Sequence, residues 1–146
     1  MDLLTPDLRA RLRANAVAHH DAMQHGTTEP DPAPVVKFFN PLGAATWLAT
    51  ELDSDGDTLF GLADLGFGCP ELGSFSLGEI AALRLPFGLT IERDLCFAST
   101  VPLSVWADTA RRAGSILWAA QLLARLAPRP DPSVDSDQLP PPQGSG

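Results

Sequence analysis

The chain has 146 residues and a formal net charge of −8 at neutral pH, with 45% hydrophobic and 19% charged residues. This length allows one domain of ordinary size, and the composition is that of a folded chain rather than a disordered one. The acidity disfavours direct binding of nucleic acid or of an anionic membrane, because both need a positive protein surface.

The sequence also lacks the usual marks of a secreted or membrane protein. Its apolar runs stay short of the ~20 residues that a transmembrane helix needs, and the N-terminus lacks the pattern of a signal peptide. Two cysteines are too few for a disulfide framework or a zinc cage. We therefore expect a cytoplasmic protein.

Residues 1–25 are predicted to form an N-terminal helix. Thr5 is a favourable N-cap, Pro6 suits the first helical position, and Asp7 complements the helix dipole. Leu8, Leu12 and Ala16 make only a narrow apolar stripe, which leaves open whether the helix packs loosely on its own domain or joins a partner. Residues 26–34, with three prolines in their last five positions, are predicted to be a linker.

Residues 35–65 change from a helical to an extended pattern. Residues 35–39 are strand-like, and residues 46–52 and 58–65 flank Asp53-Ser54-Asp55-Gly56-Asp57, whose Asp-Gly step favours a hairpin. A two-residue turn at Asp55-Gly56 would place Leu48 opposite Ala63 and Trp47 opposite Asp64.

The second half of the domain alternates short elements. Ser76 to Glu79 form a capping box that opens a short helix to about Leu83. Residues 89–97 are predicted to be a strand with Leu89, Ile91, Leu95 and Phe97 on one face, and Ser104 is predicted to cap a long helix that ends near Ala127. The proline-rich residues 128–146 are predicted to be a disordered tail.

Together these elements predict an α+β fold over residues 35–127. A small, mostly antiparallel sheet of four or five strands would carry the long C-terminal helix across one face, preceded by the N-terminal helix.

Three sequence blocks resemble a family of short bacterial proteins classed only as a domain of unknown function. The blocks are Phe39-Asn40-Pro41 with residues 43–48, residues 64–73, and Ile91-Glu92-Arg93-Asp94-Leu95, and Leu3-Leu4-Thr5-Pro6 agrees with them. Proteins of this family are often encoded on plasmids and integrated mobile elements. The resemblance covers about residues 3–110 and implies no activity.

Several residue patterns suggest chemistry but have simpler explanations. Asp53, Asp55 and Asp57 alternate like a calcium loop, yet Gly56 stands at the fourth rather than the sixth place, and position 64 holds Asp rather than Glu. Cys69 would suit a reactive thiol, but all three histidines, His19, His20 and His25, lie at or just past the end of the first helix. We therefore assign no catalytic residue, metal site or cofactor.

Arg93 is more informative, because it interrupts the apolar face of its predicted strand. A guanidinium in that position needs a carboxylate or carbonyl partner, or it must emerge at the edge of the core. Asp64 beside Trp47 is the first choice of partner, with Glu71 the second. Lys37 could face the same site. The sequence thus names five candidate binding residues, which are Lys37, Trp47, Asp64, Glu71 and Arg93.

Two functions remain open at this point. Residues 31–100 carry ten acidic residues against Lys37, Arg84 and Arg93. This balance favours a non-enzymatic interaction module for a protein with a basic surface, and a protein that handles DNA is one such partner. In an extreme form, carboxylates would mimic DNA phosphates. The alternative is a small hydrolase or metal-dependent enzyme that uses Asp64, Cys69 and Glu71, and it requires these side chains to meet in one pocket.

Overall fold

A computed structural model describes residues 2–126, and it confirms the predicted α+β class. In this part of the chain, five antiparallel strands form one sheet in the order β4-β3-β2-β1-β5. In chain order the elements are α1 (Pro6–His25), β1 (Val36–Phe39), β2 (Thr46–Leu52), β3 (Thr58–Asp64), β4 (Glu71–Ser76), α2 (Leu77–Ala82), β5 (Glu92–Arg93), α3 (Leu103–Ala113) and α4 (Ile116–Leu126). The predicted tail, residues 128–146, lies outside the described residues.

The sheet separates two apolar cores, because successive side chains of a strand point to opposite faces. On what we call the first face, Phe38, Trp47 and Leu59 pack with Leu12 of α1 and Ile80 of α2. On the second face, Leu48 and Leu62 pack with residues of α3 and α4, which include Trp106, Ala110, Ile116 and Ala119. No helix within residues 2–126 is long and apolar enough to cross a membrane.

Helix α1 begins where the sequence predicts and docks on its own sheet. The Thr5 hydroxyl accepts a hydrogen bond from the Leu8 amide at 3.2 Å, and Leu12 is fully buried. Polar contacts add to this packing, since Arg13 Nη1 donates to the Leu52 carbonyl at 2.7 Å and Asn15 Nδ2 donates to the Thr50 carbonyl at 2.9 Å. These carbonyls belong to the part of β2 that extends beyond β1, so α1 covers an otherwise open sheet edge.

The β2–β3 hairpin follows the predicted register only near its turn. Leu52 lies opposite Leu59 and Glu51 opposite Phe60, as expected, but the register shifts between Ala49 and Glu51. Thr50 is the extra residue of a β-bulge, so the predicted pairs of Leu48 with Ala63 and of Trp47 with Asp64 are wrong. A one-residue shift reverses the faces, and Asp64 therefore lies opposite Thr46 instead.

Two further predictions are corrected in the C-terminal half. Of predicted strand 89–97, only Glu92–Arg93 is a strand, because the chain turns at Asp94, whose carboxylate accepts the Cys96 amide at 2.9 Å. The predicted helix 104–127 is broken at Gly114, whose φ of 90° is left-handed. Ser104 also lies inside α3 rather than at its cap, and it is hydrogen-bonded to Asp31 of the linker.

Candidate functional site

The buried carboxylate of Asp64 serves the fold rather than an open site. Its side chain is fully buried on the second face, where Oδ1 accepts the Gly66 amide at 2.9 Å and Oδ2 accepts the Ile116 amide at 2.9 Å. Ile116 is the first residue of α4, so the carboxylate stands at the positive end of that helix. Asp64 thereby ties the end of β3 to the start of α4.

Arg93 has different partners from the predicted one. It lies opposite Phe38 on the first face, and its Nη1 donates to the carbonyls of Asp2 at 3.1 Å and Leu3 at 2.9 Å. The predicted ion pair between Arg93 and Asp64 is therefore wrong, because the sheet stands between the two side chains. The prediction that this guanidinium needs an oxygen partner at the core boundary holds, with main-chain carbonyls in that role.

Glu71 and Cys69 do not join Asp64 either. Glu71 lies opposite Ala63 in the β3–β4 pair, which places it on the face opposite to Asp64, and it is exposed. Cys69 is exposed in the β3–β4 loop, with its Sγ 3.8 Å from the Phe67 carbonyl oxygen. Within residues 2–126, no group of three or more His, Cys, Asp or Glu side chains could hold a metal ion.

Lys37 and Arg93 both border one cleft, of about 450 Å³, at the β5 edge of the sheet. The Lys37 side chain points to the second face, where its Nζ lies 3.7 Å from Asp94 Oδ2. Trp47, in contrast, is buried in the first-face core. Two of the five candidate residues thus line this cleft from opposite faces of the sheet, and a binding role for them stays a prediction.

The three alternating aspartates form a hairpin turn, as predicted, and their carboxylates are used within the protein. Asp55 accepts the amides of Asp57 and Thr58, both at 2.8 Å, and the Thr58 hydroxyl at 2.6 Å. The hydroxyl bond and then the amide bonds lower the pKa of Asp55 below its ordinary value. Asp57 accepts the Ser76 hydroxyl and the Gly78 amide, both at 2.7 Å, and so joins the turn to the start of α2.

His19 makes a cluster that the sequence analysis did not identify. Its Nδ1 lies 3.0 Å from Glu51 Oε2 and its Nε2 lies 2.8 Å from Glu29 Oε1, so one imidazole links α1, the linker and β2. The hydrogen bond with Glu51 is the main cause that raises the pKa of His19; partial burial opposes it, and Glu29 adds to the increase. No signal in the sequence could reveal this cluster, since its members are 10 and 32 residues apart from His19.

The comparisons with known proteins give a family and no activity. A family model described as "Protein of unknown function (DUF2958)" matches residues 3–117, which include all five candidate residues. No curated protein and no solved structure matches the chain.

Proposed function

We propose that this chain, which belongs to the family of proteins of unknown function DUF2958, is a non-enzymatic interaction module that binds a basic surface on another protein. We place the contact at the turn of the β2–β3 hairpin and the adjoining start of α2. This region, called the acidic hairpin end below, consists of Asp53, Asp55, Asp57 and Glu79.

The observation that carries the proposal is how the arginines near the sheet are used. Arg9 Nη1 donates to the Gly56 carbonyl at 3.2 Å, and Arg13 and Arg93 likewise donate to main-chain carbonyls. These guanidinium groups hold α1 and the N-terminal segment in place. Within residues 2–126, none of them forms an ion pair with a carboxylate of the acidic hairpin end. The exposed carboxylates of Asp53 and Glu79 are thus available to cations on a partner, whereas those of Asp55 and Asp57 accept hydrogen bonds within the protein.

The charge favours a partner that handles DNA, because a protein surface that contacts phosphates is itself basic. The resemblance to proteins encoded on plasmids and integrated elements supports the same kind of partner. Full mimicry of DNA fits less well, since ten acidic residues in seventy are a modest density.

The geometry supports this function better than the alternative enzyme. A hydrolase or metal-dependent enzyme built on Asp64, Cys69 and Glu71 needs these side chains around one pocket. Asp64 and Glu71 instead lie on opposite faces of the sheet, and both oxygens of Asp64 accept main-chain amides.

Capture of partners by the tagged protein in a lysate of its native host, followed by mass spectrometry, tests the proposal. The variant Asp53→Asn/Glu79→Gln should lose most of the captured partner, and capture by the unaltered chain should weaken as salt is added. The control Asp21→Asn/Asp108→Asn removes the same charge from exposed positions of α1 and α3 and should capture normally. Equal capture by both variants would contradict the proposal.

A further inference from the structure

The two edges of the sheet are protected very differently. At one side, β5 is only two residues long, and α1 covers the part of β2 that β1 leaves unpaired. At the other side, β4 is six residues long and, within residues 2–126, pairs with β3 alone. Folded proteins usually protect a long edge strand with lysine, proline or a covering segment, and residues 71–76 contain neither lysine nor proline.

The register shows which main-chain groups of β4 point away from the sheet. The Leu77 amide donates to the Asp57 carbonyl at 2.9 Å, so this pair is a hydrogen-bonded one. Hydrogen-bonded pairs alternate along an antiparallel ladder, which makes Phe75 and Gly73 bond inward to β3. The N–H and C=O groups of Leu72 and Ser74 therefore point outward.

The side chains around this edge leave room for a second strand. Ser74 is exposed, and among the described residues a Cβ atom built on Gly73 would meet nothing within 4 Å, so the sheet faces beside the centre of β4 are open to the side chains of an added strand. Leu72 is 38% exposed and offers an apolar contact on the second face.

Carboxylates stand at both ends of the same strand. Glu71 is its first residue, and Ser76, its last, is hydrogen-bonded to Asp57 and lies three residues before Glu79. Six residues of extended chain place these ends about 17 Å apart. A second copy of this chain would bring a further net charge of −8 to the edge, whereas an extended segment with a cation at each end would complement it.

We propose that β4 is a docking strand for an extended segment of a partner protein, which adds to the sheet and carries basic side chains about 17 Å apart. The proposal rests on the proposed function and names the form of the partner: main-chain hydrogen bonds to Leu72 and Ser74 supply the pairing, and the carboxylates at the strand ends select a basic segment.

The test adds a terminally blocked peptide, Lys-Thr-Val-Thr-Val-Arg, to the full chain. Binding is measured by the shifts of the amide NMR signals of the chain. We expect the signals of Leu72 and Ser74 to shift. The variant Ser74→Pro loses the outward N–H and should bind at least tenfold more weakly, while Ser74→Ala keeps that N–H and should bind normally. A counterpart peptide N-methylated at its four central residues should also bind at least tenfold more weakly. If Ser74→Pro does not fold, this peptide provides the test of main-chain pairing.

Three results would overturn the docking strand. The first is undiminished binding of the N-methylated peptide to the chain, or of the unmodified peptide to folded Ser74→Pro. The second is that only the amide signals of other residues shift. The third is that the Leu72 and Ser74 signals shift when the protein concentration alone is raised, which would make a second copy the occupant. Peptide binding that survives Ser74→Pro but is lost in Asp53→Asn/Glu79→Gln would leave the proposed function standing alone. Binding unchanged when alanine replaces the peptide's lysine and arginine would support the strand and contradict acidic recognition.

Discussion

Gly61 shows how one residue permits the bulge that sets the two faces. A Cβ atom at this position would lie 1.8 Å from the Leu48 carbonyl oxygen, so only glycine allows β2 to approach β3 here. Gly73, its partner on β4, has no atom within 4 Å of the corresponding point.

We therefore expect Gly61→Ala to lower the free energy of unfolding by about 3 kcal/mol or to prevent folding, because the clash is with backbone. Gly73→Ala should change it by less than about 1 kcal/mol. Urea denaturation of the two variants measures the contrast. Equal stabilities would mean that β2 and β3 are not as close at the bulge as the structure has them.

The buried carboxylate of Asp64 should also contribute to stability. In Asp64→Asn one carboxylate oxygen becomes an amide nitrogen, which cannot accept from the Gly66 or Ile116 amide. Leaving a buried donor unpaired should cost about 2 kcal/mol of unfolding free energy. The exposed Asp53→Asn is the matched control and should cost less than about 0.5 kcal/mol. An unchanged free energy of unfolding in Asp64→Asn would contradict the role of this carboxylate in holding α4.

At the scale of elements, the docking of α1 should depend on pH through His19. Its pKa is raised in the folded protein by Glu51 and Glu29, so protonation favours the folded state. This contribution is fully present below the unfolded-state pKa of about 6.5 and is lost as pH rises through the higher folded value.

Chemical denaturation between about pH 5.5 and 8.5 checks this dependence. The free energy of unfolding of the unaltered chain should fall relative to that of His19→Gln as the pH rises, and taking the difference removes the contributions that the two chains share. If the free energies of unfolding of the two chains change in parallel with pH, the Glu29–His19–Glu51 cluster contributes nothing to the docking of α1.

Local signals predicted most of the elements, and the failures occur where an apolar pattern continues through a turn of the chain. The Thr5 cap, the Ser76 cap and the Asp-rich turn are encoded within a few residues, and the structure has all three. Strand 89–97 fails because its alternation continues past the turn at Asp94. Helix 104–127 fails because its apolar pattern continues across Gly114, while the left-handed bend there lets α4 begin beside Asp64.

For the whole molecule, a single bulge explains why the predicted site does not form. Asp64 and Arg93 each interrupt an apolar pattern, and an unbulged hairpin would have put Asp64 on the same side as Trp47. The extra residue at Thr50 reverses the alternation within β2, so Trp47 lies on the first face with Arg93, while Asp64 in the unbulged β3 lies on the second. Alternation within one strand identified both polar positions but could not reveal an insertion that depends on the fit of Gly61 against Leu48.

A double-mutant cycle of Asp64→Asn and Arg93→Met tests this separation most directly. Because the sheet stands between the two side chains and each bonds to different main-chain groups, the losses of unfolding free energy should add to within about 0.5 kcal/mol. A coupling above about 1 kcal/mol would show that the two charges meet after all. It would contradict the placement of Asp64 and Arg93 on opposite faces of the sheet, where Asp64 holds α4 and Arg93 holds the N-terminal segment.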